Sequence, residues 1–449
     1  MSEKDMIKEE YVRNHSQSGE LHERATKVFA IDGATHNTRF LDPFRPYITH
    51  AQGSRKWDVD GNEYIDYVMG HGALILGHSH PEVVRAIQEQ VAKGVHYGEN
   101  HELEIEWAEL IKSMIPSAEM VEFFACGNEA NMMALRLGRL FTGRKKVLKF
   151  NHHFHGWCDQ LTTPGAPGTI PEDNVINTIN IMQNDLGKLE EELAKREYAV
   201  LITEAGGAHM CGAMPLDIDF VRAIPALARQ YGTIWVLDEV VTGFRDYLSA
   251  DRQGWQSLIG VKPDLTTLGK CIGGGLPAGA LVGRADLFNL LSPKRGAQRI
   301  GHTGTWNGNP VTAAAGVAAC RLYQTGEPQR KAAQAAAHLL RKGNQVFQER
   351  AINGRLYGRS IVHIYLGPIE YEPNDDTMPP CRNVPEIDPA SLAIRHRLCL
   401  HLLHRGVATM EGRFFVCSMA HNDEDIDFAV KALADSLDAM VAEGTLKKS

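Results

Sequence analysis

From about residue 100 to 325 the chain repeats one pattern: a short apolar run, a polar or glycine-containing turn, then a helix with one apolar face. The candidate strands are Val121–Ala125, Lys146–Phe150, Ala199–Thr203, Thr233–Leu237, Leu265–Leu268 and Ala278–Val282, and helical segments such as Asn131–Phe141 and Phe220–Tyr231 separate several of them. Strands joined through helices run parallel, and runs that are apolar throughout are buried on both faces. The alternation therefore predicts an α/β fold with a mostly parallel central sheet and helices on both faces. Ligands in such sheets bind beyond the carboxyl ends of the strands, so the residues just after each run are the ones to examine.

Two of those positions carry a specific chemistry in combination. Thr233-Ile234-Trp235-Val236-Leu237 runs directly into Asp238-Glu239, and Leu265–Leu268 runs into Gly269-Lys270, with Gly273-Gly274-Gly275 close behind. Alone, an aspartate at a strand end is usually a turn former or a cap, and a lysine after a strand is usually a surface residue. Together, in an α/β context, they are the pair that pyridoxal phosphate chemistry needs. The lysine amine forms a Schiff base with the cofactor aldehyde, and the aspartate keeps the pyridine nitrogen protonated so that the ring accepts electrons.

Three further segments fit a flat, phosphorylated ligand. In Val121–Asn131 a strand turns tightly through Cys126-Gly127-Asn128 into a helix, whose exposed N–H groups suit a phosphate; an ordinary connection capped by Asn128 is the plainer reading. Phe154, in Asn151-His152-His153-Phe154-His155-Gly156-Trp157, is an aromatic ring that could stack on a cofactor or simply fill core. Gly301-His302-Thr303-Gly304-Thr305-Trp306-Asn307-Gly308-Asn309-Pro310 is a polar glycine loop that opens an alanine-rich helix, a second place for a phosphate.

With these motifs in place the chain resembles the class III aminotransferases, pyridoxal phosphate enzymes of fold type I, in the branch of glutamate-1-semialdehyde aminomutase and the β-amino-acid transaminases. The resemblance covers roughly residues 35 to 430. Its most specific parts are Asp238-Glu239-Val240-Val241-Thr242-Gly243-Phe244-Arg245, Pro263–Lys270 and Gly304–Pro310, with Trp57–Asn62 and Gly77–Pro81 also matching. It implies that Lys270 binds the cofactor aldehyde and that Asp238 pairs with the pyridinium. It implies further that Val240 and Phe154 pack on the two ring faces, and that Gly127 and Asn128, beside Cys126, hold the phosphate. Thr305 would reach the phosphate of a neighbouring subunit, which implies a homodimer, or a dimer of dimers, with shared active sites. Two departures stand out. Cys126-Gly127-Asn128-Glu129-Ala130 replaces the family's Ser-Gly-Thr-Glu-Ala, and Glu204-Ala205 replaces Glu-Pro. The residue that bonds the cofactor's phenolic oxygen is therefore open, with His209 the candidate by alignment on Glu204.

For the substrate, Arg39 in Asn37–Leu41 resembles the carboxylate-binding arginine of the same branch, because a guanidinium fork holds a carboxylate bidentately. Arg413 is a second candidate, and His71 could line the pocket. The implied reaction passes an amino group by a ping-pong route from a carboxylate-bearing small-molecule donor, including β- or ω-amino acids, to a 2-oxo acid or other carbonyl acceptor. An intramolecular 2,1-aminomutase uses the same residues and is the alternative. A catalytically silent pyridoxal phosphate-binding regulator is the remote one.

The rest of the chain bounds this reading. Four hundred and forty-nine residues exceed what one core normally serves. We expect an N-terminal arm and hairpin segment over residues 1–72 that joins the small domain, a large cofactor domain over 73–325 and a smaller α+β domain over 326–449. The net charge of −8 suggests no nucleic-acid partner. The charged N-terminus and the absence of a long apolar run point to a cytoplasmic protein with no membrane span. The eight cysteines are scattered and read as reduced thiols. His152, His153 and His155 lack further ligands at metal-binding spacing, so no metal is expected.

Overall fold

The structure is a computed structural model and describes residues 3–206, 214–381 and 389–448. In chain order the strands are β1 (Ile48–Gln52), β2 (Arg55–Asp58), β3 (Glu63–Asp66), β4 (Met120–Phe124), β5 (Lys146–Phe150), β6 (Thr178–Ile181), β7 (Tyr198–Glu204), β8 (Ile234–Glu239), β9 (Tyr247–Ser249), β10 (Arg252–Gln253), β11 (Leu265–Gly269), β12 (Gly279–Gly283), β13 (Gly354–Gly358), β14 (Ile361–Leu366), β15 (Val407–Ala408) and β16 (Phe414–Val416). The chain forms two compact units. One takes Pro81–Gln329; the other takes the residues up to His80 together with those from Arg330 onward.

The first unit is built on a seven-stranded sheet in the order β4-β12-β11-β8-β7-β5-β6. The pairs β11/β8, β8/β7, β7/β5 and β5/β6 are parallel, and only β12 runs against its neighbours β11 and β4. All six expected strands form. β6 was not anticipated, because Thr178-Ile179-Asn180-Ile181 is short and carries a polar residue inside it.

Every residue of β7 and β8 is buried. The period of two sends alternate side chains to opposite faces. Val200, Ile202 and Val236 meet Ala130, Met133, Ala134 and Leu137 of the helix Gly127–Thr142. Leu201, Trp235 and Leu237 meet Leu189, Leu193, Phe220, Val221 and Ile224 of the helices on the other face. Each such side chain, taken out of water, contributes on the order of 1.5–3 kcal/mol. The helix Gly127–Thr142 stops at Gly143, whose left-handed φ of 68° ends it without side-chain strain.

In the second unit β2 and β3 form the expected antiparallel hairpin. Asp58 Oδ1 accepts from the N–H groups of Asp60 and Asn62 and so fixes the turn. β1 and β15 extend that sheet to β1-β2-β3-β15, and β13-β14-β16 form another. The helix Asp423–Ala442 packs Ile426, Leu433, Leu437 and Met440 into this unit's main core, as its apolar spacing predicts. Among the described residues no helix is long and apolar enough to cross a membrane.

Candidate active site

The parallel register places Glu204, Asp238 and Thr267 side by side: Glu204 of β7 opposes Asp238 of β8, which opposes Thr267 of β11. Lys270 follows at the carboxyl end of β11 with φ of 47°, a left-handed conformation that costs energy for any residue with a Cβ. The turn that imposes it is pinned from beneath. Trp107 Nε1 donates to the Ile272 carbonyl at 3.1 Å, and Tyr323 Oη donates to the Cys271 carbonyl at 2.9 Å. The glycines let this turn sit close. A Cβ on Gly274 would stand 2.7 Å from the Ala315 carbonyl oxygen in the helix Pro310–Gln324. Loss of water pushes the Lys270 amine below the usual lysine range, and the nearby Asp238 carboxylate pulls it partly back.

Asp238 is 5% exposed and is held by three donors. Its Oδ2 accepts from His155 Nδ1 at 2.9 Å and from Asn131 Nδ2 at 2.8 Å, and its Oδ1 accepts from the Val240 N–H at 3.0 Å. Asn131 Nδ2 also donates to the His155 carbonyl at 2.8 Å. Neither His155 nor Asn131 was singled out as a site residue from the sequence. The signal for His155 is a histidine immediately before a glycine-aromatic step just past a strand, but it lies inside a cluster of histidines that also reads as a candidate metal site. Among the described residues no group of histidine, cysteine, aspartate and glutamate is placed to hold a metal ion.

Beyond β4 the chain turns into the helix Gly127–Thr142. Cys126, not Asn128, occupies the N-cap, and its side chain makes no capping bond. Asn128 lies inside the first turn, where its Oδ1 accepts from the Trp157 N–H at 3.2 Å. The capping expectation for Asn128 fails because the backbone becomes helical one residue earlier. Glu129 Oε2 instead accepts from the Ala125 N–H at 2.9 Å and ties the strand end to the helix. The first N–H groups of the helix have no intrahelical acceptor, which makes this turn a natural anion site. Gly127 is required there: a Cβ would stand 2.6 Å from Val240 Cγ2. Cys126 is exposed.

The loop after β5 supplies Phe154, whose ring is exposed and whose N–H donates to Glu204 Oε1 at 2.9 Å. Its far end is held from inside the unit. Lys149, buried on β5, donates from Nζ to the Leu161 carbonyl at 2.6 Å and to that of Thr162 at 3.3 Å. Burial pushes the Lys149 amine down to about 8, against an opposing pull from Glu204. Thr305 is exposed, and its carbonyl bonds His96 Nε2 at 2.7 Å. His209 lies outside the described residues.

The candidate substrate residues belong to the other unit. Arg39 and His71 line a cavity of about 490 Å³ there, together with Arg45, Lys56, His78 and Met410. Arg39 Nη1 donates to Thr35 Oγ1 at 3.1 Å, and the side chain is otherwise exposed. Lys56 and His78 both pair with Asp66, at 2.8 and 2.7 Å. Burial alone would raise that carboxyl, but the two partners hold it well below the usual range. Arg413 is not among the residues lining this cavity; it is buried with its guanidinium 5.9 Å from the centre of the Phe414 ring.

Residues 39–355 match the family model described as aminotransferase class-III. A glutamate-1-semialdehyde 2,1-aminomutase of Methanothrix thermoacetophila is 35% identical over 368 residues, covering 79% of this chain and 83% of the relative. An ω-transaminase from Sphaerobacter thermophilus has the same fold, with a TM-score of 0.85, 30% identity, and coverage of 94% and 97% of the two chains. A β-phenylalanine aminotransferase from Variovorax paradoxus superposes with a TM-score of 0.86 at 28% identity, over 98% and 97%.

Proposed function

The chain belongs to the class III aminotransferases, and we propose that within this family it is a transaminase that takes the amino group of a carboxylate-bearing donor, a β- or ω-amino acid, and passes it to a 2-oxo acid, aldehyde or ketone. Pyridoxal 5′-phosphate is its cofactor. Bound, that group supplies an aldehyde to receive the amine and a ring to draw electrons from the carbon that carried it.

The residues of the site fit such a group. Gly127 lets Val240 pack against the foot of a helix whose first N–H groups suit a phosphate. Asp238 is a buried carboxyl group that accepts from three N–H donors, a fixed acceptor of the kind a protonated ring nitrogen requires opposite it. In this reading the backbones of Gly127 and Asn128, with Cys126 beside them, hold the phosphate, and Val240 and Phe154 flank the ring. Lys270 Nζ would bind the aldehyde carbon, and the same Nζ would carry the proton from the donor carbon to that aldehyde-derived carbon, a task that its desolvated, lowered pKa suits. Thr305 completes the phosphate site of a second subunit, so the working enzyme is a homodimer or a dimer of dimers.

Arg39 carries the preference for carboxylate donors. Its exposed guanidinium lines a cavity and is bonded there to a single neutral hydroxyl. The names of the curated relatives favour a second reading, an aminomutase that moves the amino group within one amino aldehyde. Single-donor mixing separates the two. With a transaminase, an amino acid alone converts the cofactor absorbance once, stoichiometrically, and added 2-oxo acid restores it. With an aminomutase, an amino aldehyde turns over with no acceptor present. A protein that shows neither exchange is a silent binder, and both readings fail.

A further inference from the structure

The loop over residues 301–309, which carries Thr305, forms neither helix nor strand, and much of it is exposed. Trp306, next to Thr305, is 61% exposed. Burial of apolar surface does little to hold such a segment, so its position rests on polar bonds. Within the loop, the N–H groups of Asn307 and Asn309 donate to the carbonyls of Gly304 and Trp306 at 3.1 and 3.2 Å. Three histidines tie it to the rest of the unit Pro81–Gln329. The first is His96, whose Nε2 lies 2.7 Å from the Thr305 carbonyl. A carbonyl can only accept, so that nitrogen carries the ring proton. The same ring meets Trp306 edge-on, with centroids 5.6 Å apart.

His101 does two jobs with one ring. It is the N-cap of the helix Glu102–Met114: its Nδ1 accepts from the Glu104 N–H at 3.3 Å, and its own N–H donates to Glu104 Oε1 at 3.1 Å. With the lone pair committed to the helix, the proton sits on Nε2, which donates to the Gly308 carbonyl at 2.6 Å. His302 ties the loop to β4. Its Nε2 accepts from Asn307 Nδ2 at 3.2 Å, its Nδ1 stands 3.1 Å from Glu122 Oε1, and its ring rests on Phe124 with centroids 4.9 Å apart. The anchored residues are therefore 302, 305 and 308, with two residues between successive ties. Asn309 Nδ2 closes the series on the Val95 carbonyl at 2.8 Å. The Thr305 backbone is held from both sides and at its own carbonyl, while the residue itself stays exposed.

We propose that His96, His101 and His302 are positioning residues for the neighbouring subunit's phosphate site: they fix in advance the backbone from which Thr305 is presented, and they touch neither cofactor nor substrate. The inference rests on the reading of Thr305 as a residue of a second subunit's site. A hydroxyl offered from a fixed backbone binds without the cost of ordering the loop at that moment. Loosening the clamp in one chain therefore weakens the phosphate site of the other.

Release of pyridoxal 5′-phosphate from the holoenzyme tests it. An asparagine in place of His101 keeps the helix cap but stops short of the Gly308 carbonyl; a glutamine reaches that carbonyl but caps poorly. His101→Asn should therefore speed cofactor release about threefold to tenfold at an unchanged Tm. His101→Gln should lower Tm while release stays near that of the wild type. His302→Phe, which keeps a ring against Phe124 and loses both polar bonds, should speed release as His101→Asn does. Binding of pyridoxal, which lacks the phosphate, should change in none of them. A His101→Asn holoenzyme that keeps its cofactor as the wild type does, or equal losses for both ligands, overturns the positioning role. A hybrid dimer of His101→Asn with Lys270→Ala shows which site the clamp serves. Its one intact Lys270 lies in the chain with the loosened loop but is completed by the sound loop of the other chain, so it should release cofactor at the wild-type rate. Release as fast as from the His101→Asn homodimer places the clamp in its own subunit's site and overturns the proposal. Thr305→Ala is the reference. If it releases cofactor as slowly as the wild type, the shared-site reading of Thr305 has failed and the proposal with it; fast release from Thr305→Ala alone is a failure of the clamp.

Discussion

Val240 occupies the space that a side chain on Gly127 would need, with its Cγ2 2.6 Å from where a Cβ would stand. The phosphate turn and the residue that follows Asp238 are thus packed against each other. Gly127→Ala should cost about 1–3 kcal/mol of overpacking, read as a fall in pyridoxal phosphate affinity by equilibrium dialysis. Val240→Ala added to it should recover part of that loss, because the two sites share one contact and will not be additive. Additive losses in the double variant would separate the two positions.

Asp238→Asn should lower kcat by several orders of magnitude, with a smaller loss of cofactor affinity, since a neutral amide cannot keep a ring nitrogen protonated. It also removes the charge that partly restores the Lys270 amine, so the Lys270 pKa should fall further in the variant. A pH titration of the cofactor absorbance checks both. A decrease of only a few-fold in kcat would make Asp238 a structural cap. Lys270→Ala should abolish turnover while leaving the fold and some non-covalent cofactor binding.

Lys149 gives a stability prediction with a definite sign. Its folded pKa lies near 8, below the unfolded value of 10.5. Between those two values the unfolded chain binds more protons than the folded one, so Lys149 makes stability rise with pH across that window. The slope is at most about 1.4 kcal/mol per pH unit. Denaturant unfolding of wild type and Lys149→Met from pH 7 to 11 isolates it: the difference between them should tilt toward wild type as pH rises. A difference independent of pH contradicts the buried, titrating amine.

Thr305 is exposed in the single chain, which suits a residue that works in a partner's site. Thr305→Ala and Lys270→Ala should each be strongly impaired as pure proteins. Mixed under exchange, they should regain activity, because one site of the hybrid then has both residues intact. Light scattering should find no active monomer. Absence of complementation in a proven hybrid would place Thr305 in its own subunit's site or in none.

Arg39→Ala should lower kcat/KM for a carboxylated donor by about 2–4 kcal/mol and leave the matched decarboxylated amine unchanged. Equal losses for both donors would mean that Arg39 supports structure. No loss for either would remove it from substrate binding, and the burial of Arg413 makes that residue a poor replacement.

Much of this site could be read without coordinates because it sits at strand ends. Asp238 and Lys270 each close an apolar run, and the glycines around them mark where the backbone must turn sharply. What could not be read is what reaches those residues from elsewhere. His155 and Asp238 are far apart in the chain, and their contact exists only because β5 and β8 both border β7. Asn131 looks like any polar residue on a helix until the helix is laid across the sheet, which turns that one position onto Asp238. Asn128 was read as a cap from residue type alone, and the backbone had already become helical one residue before it.

The single reversed strand has a consequence for how the enzyme is made. β4, the first of the seven strands to emerge during synthesis, pairs only with β12, the last. Until the chain has been extended through residue 283, β4 has no neighbouring strand in the sheet. Its pairing spans more sequence than any other in the sheet, the kind of non-local contact that slows folding, and its exposed edge meanwhile invites association. Fragments that end before β12 should therefore gather as aggregates, whereas chains that run on through β12 and the helix Pro310–Gln324, whose Tyr323 pins the Lys270 turn, should be recovered as folded protein.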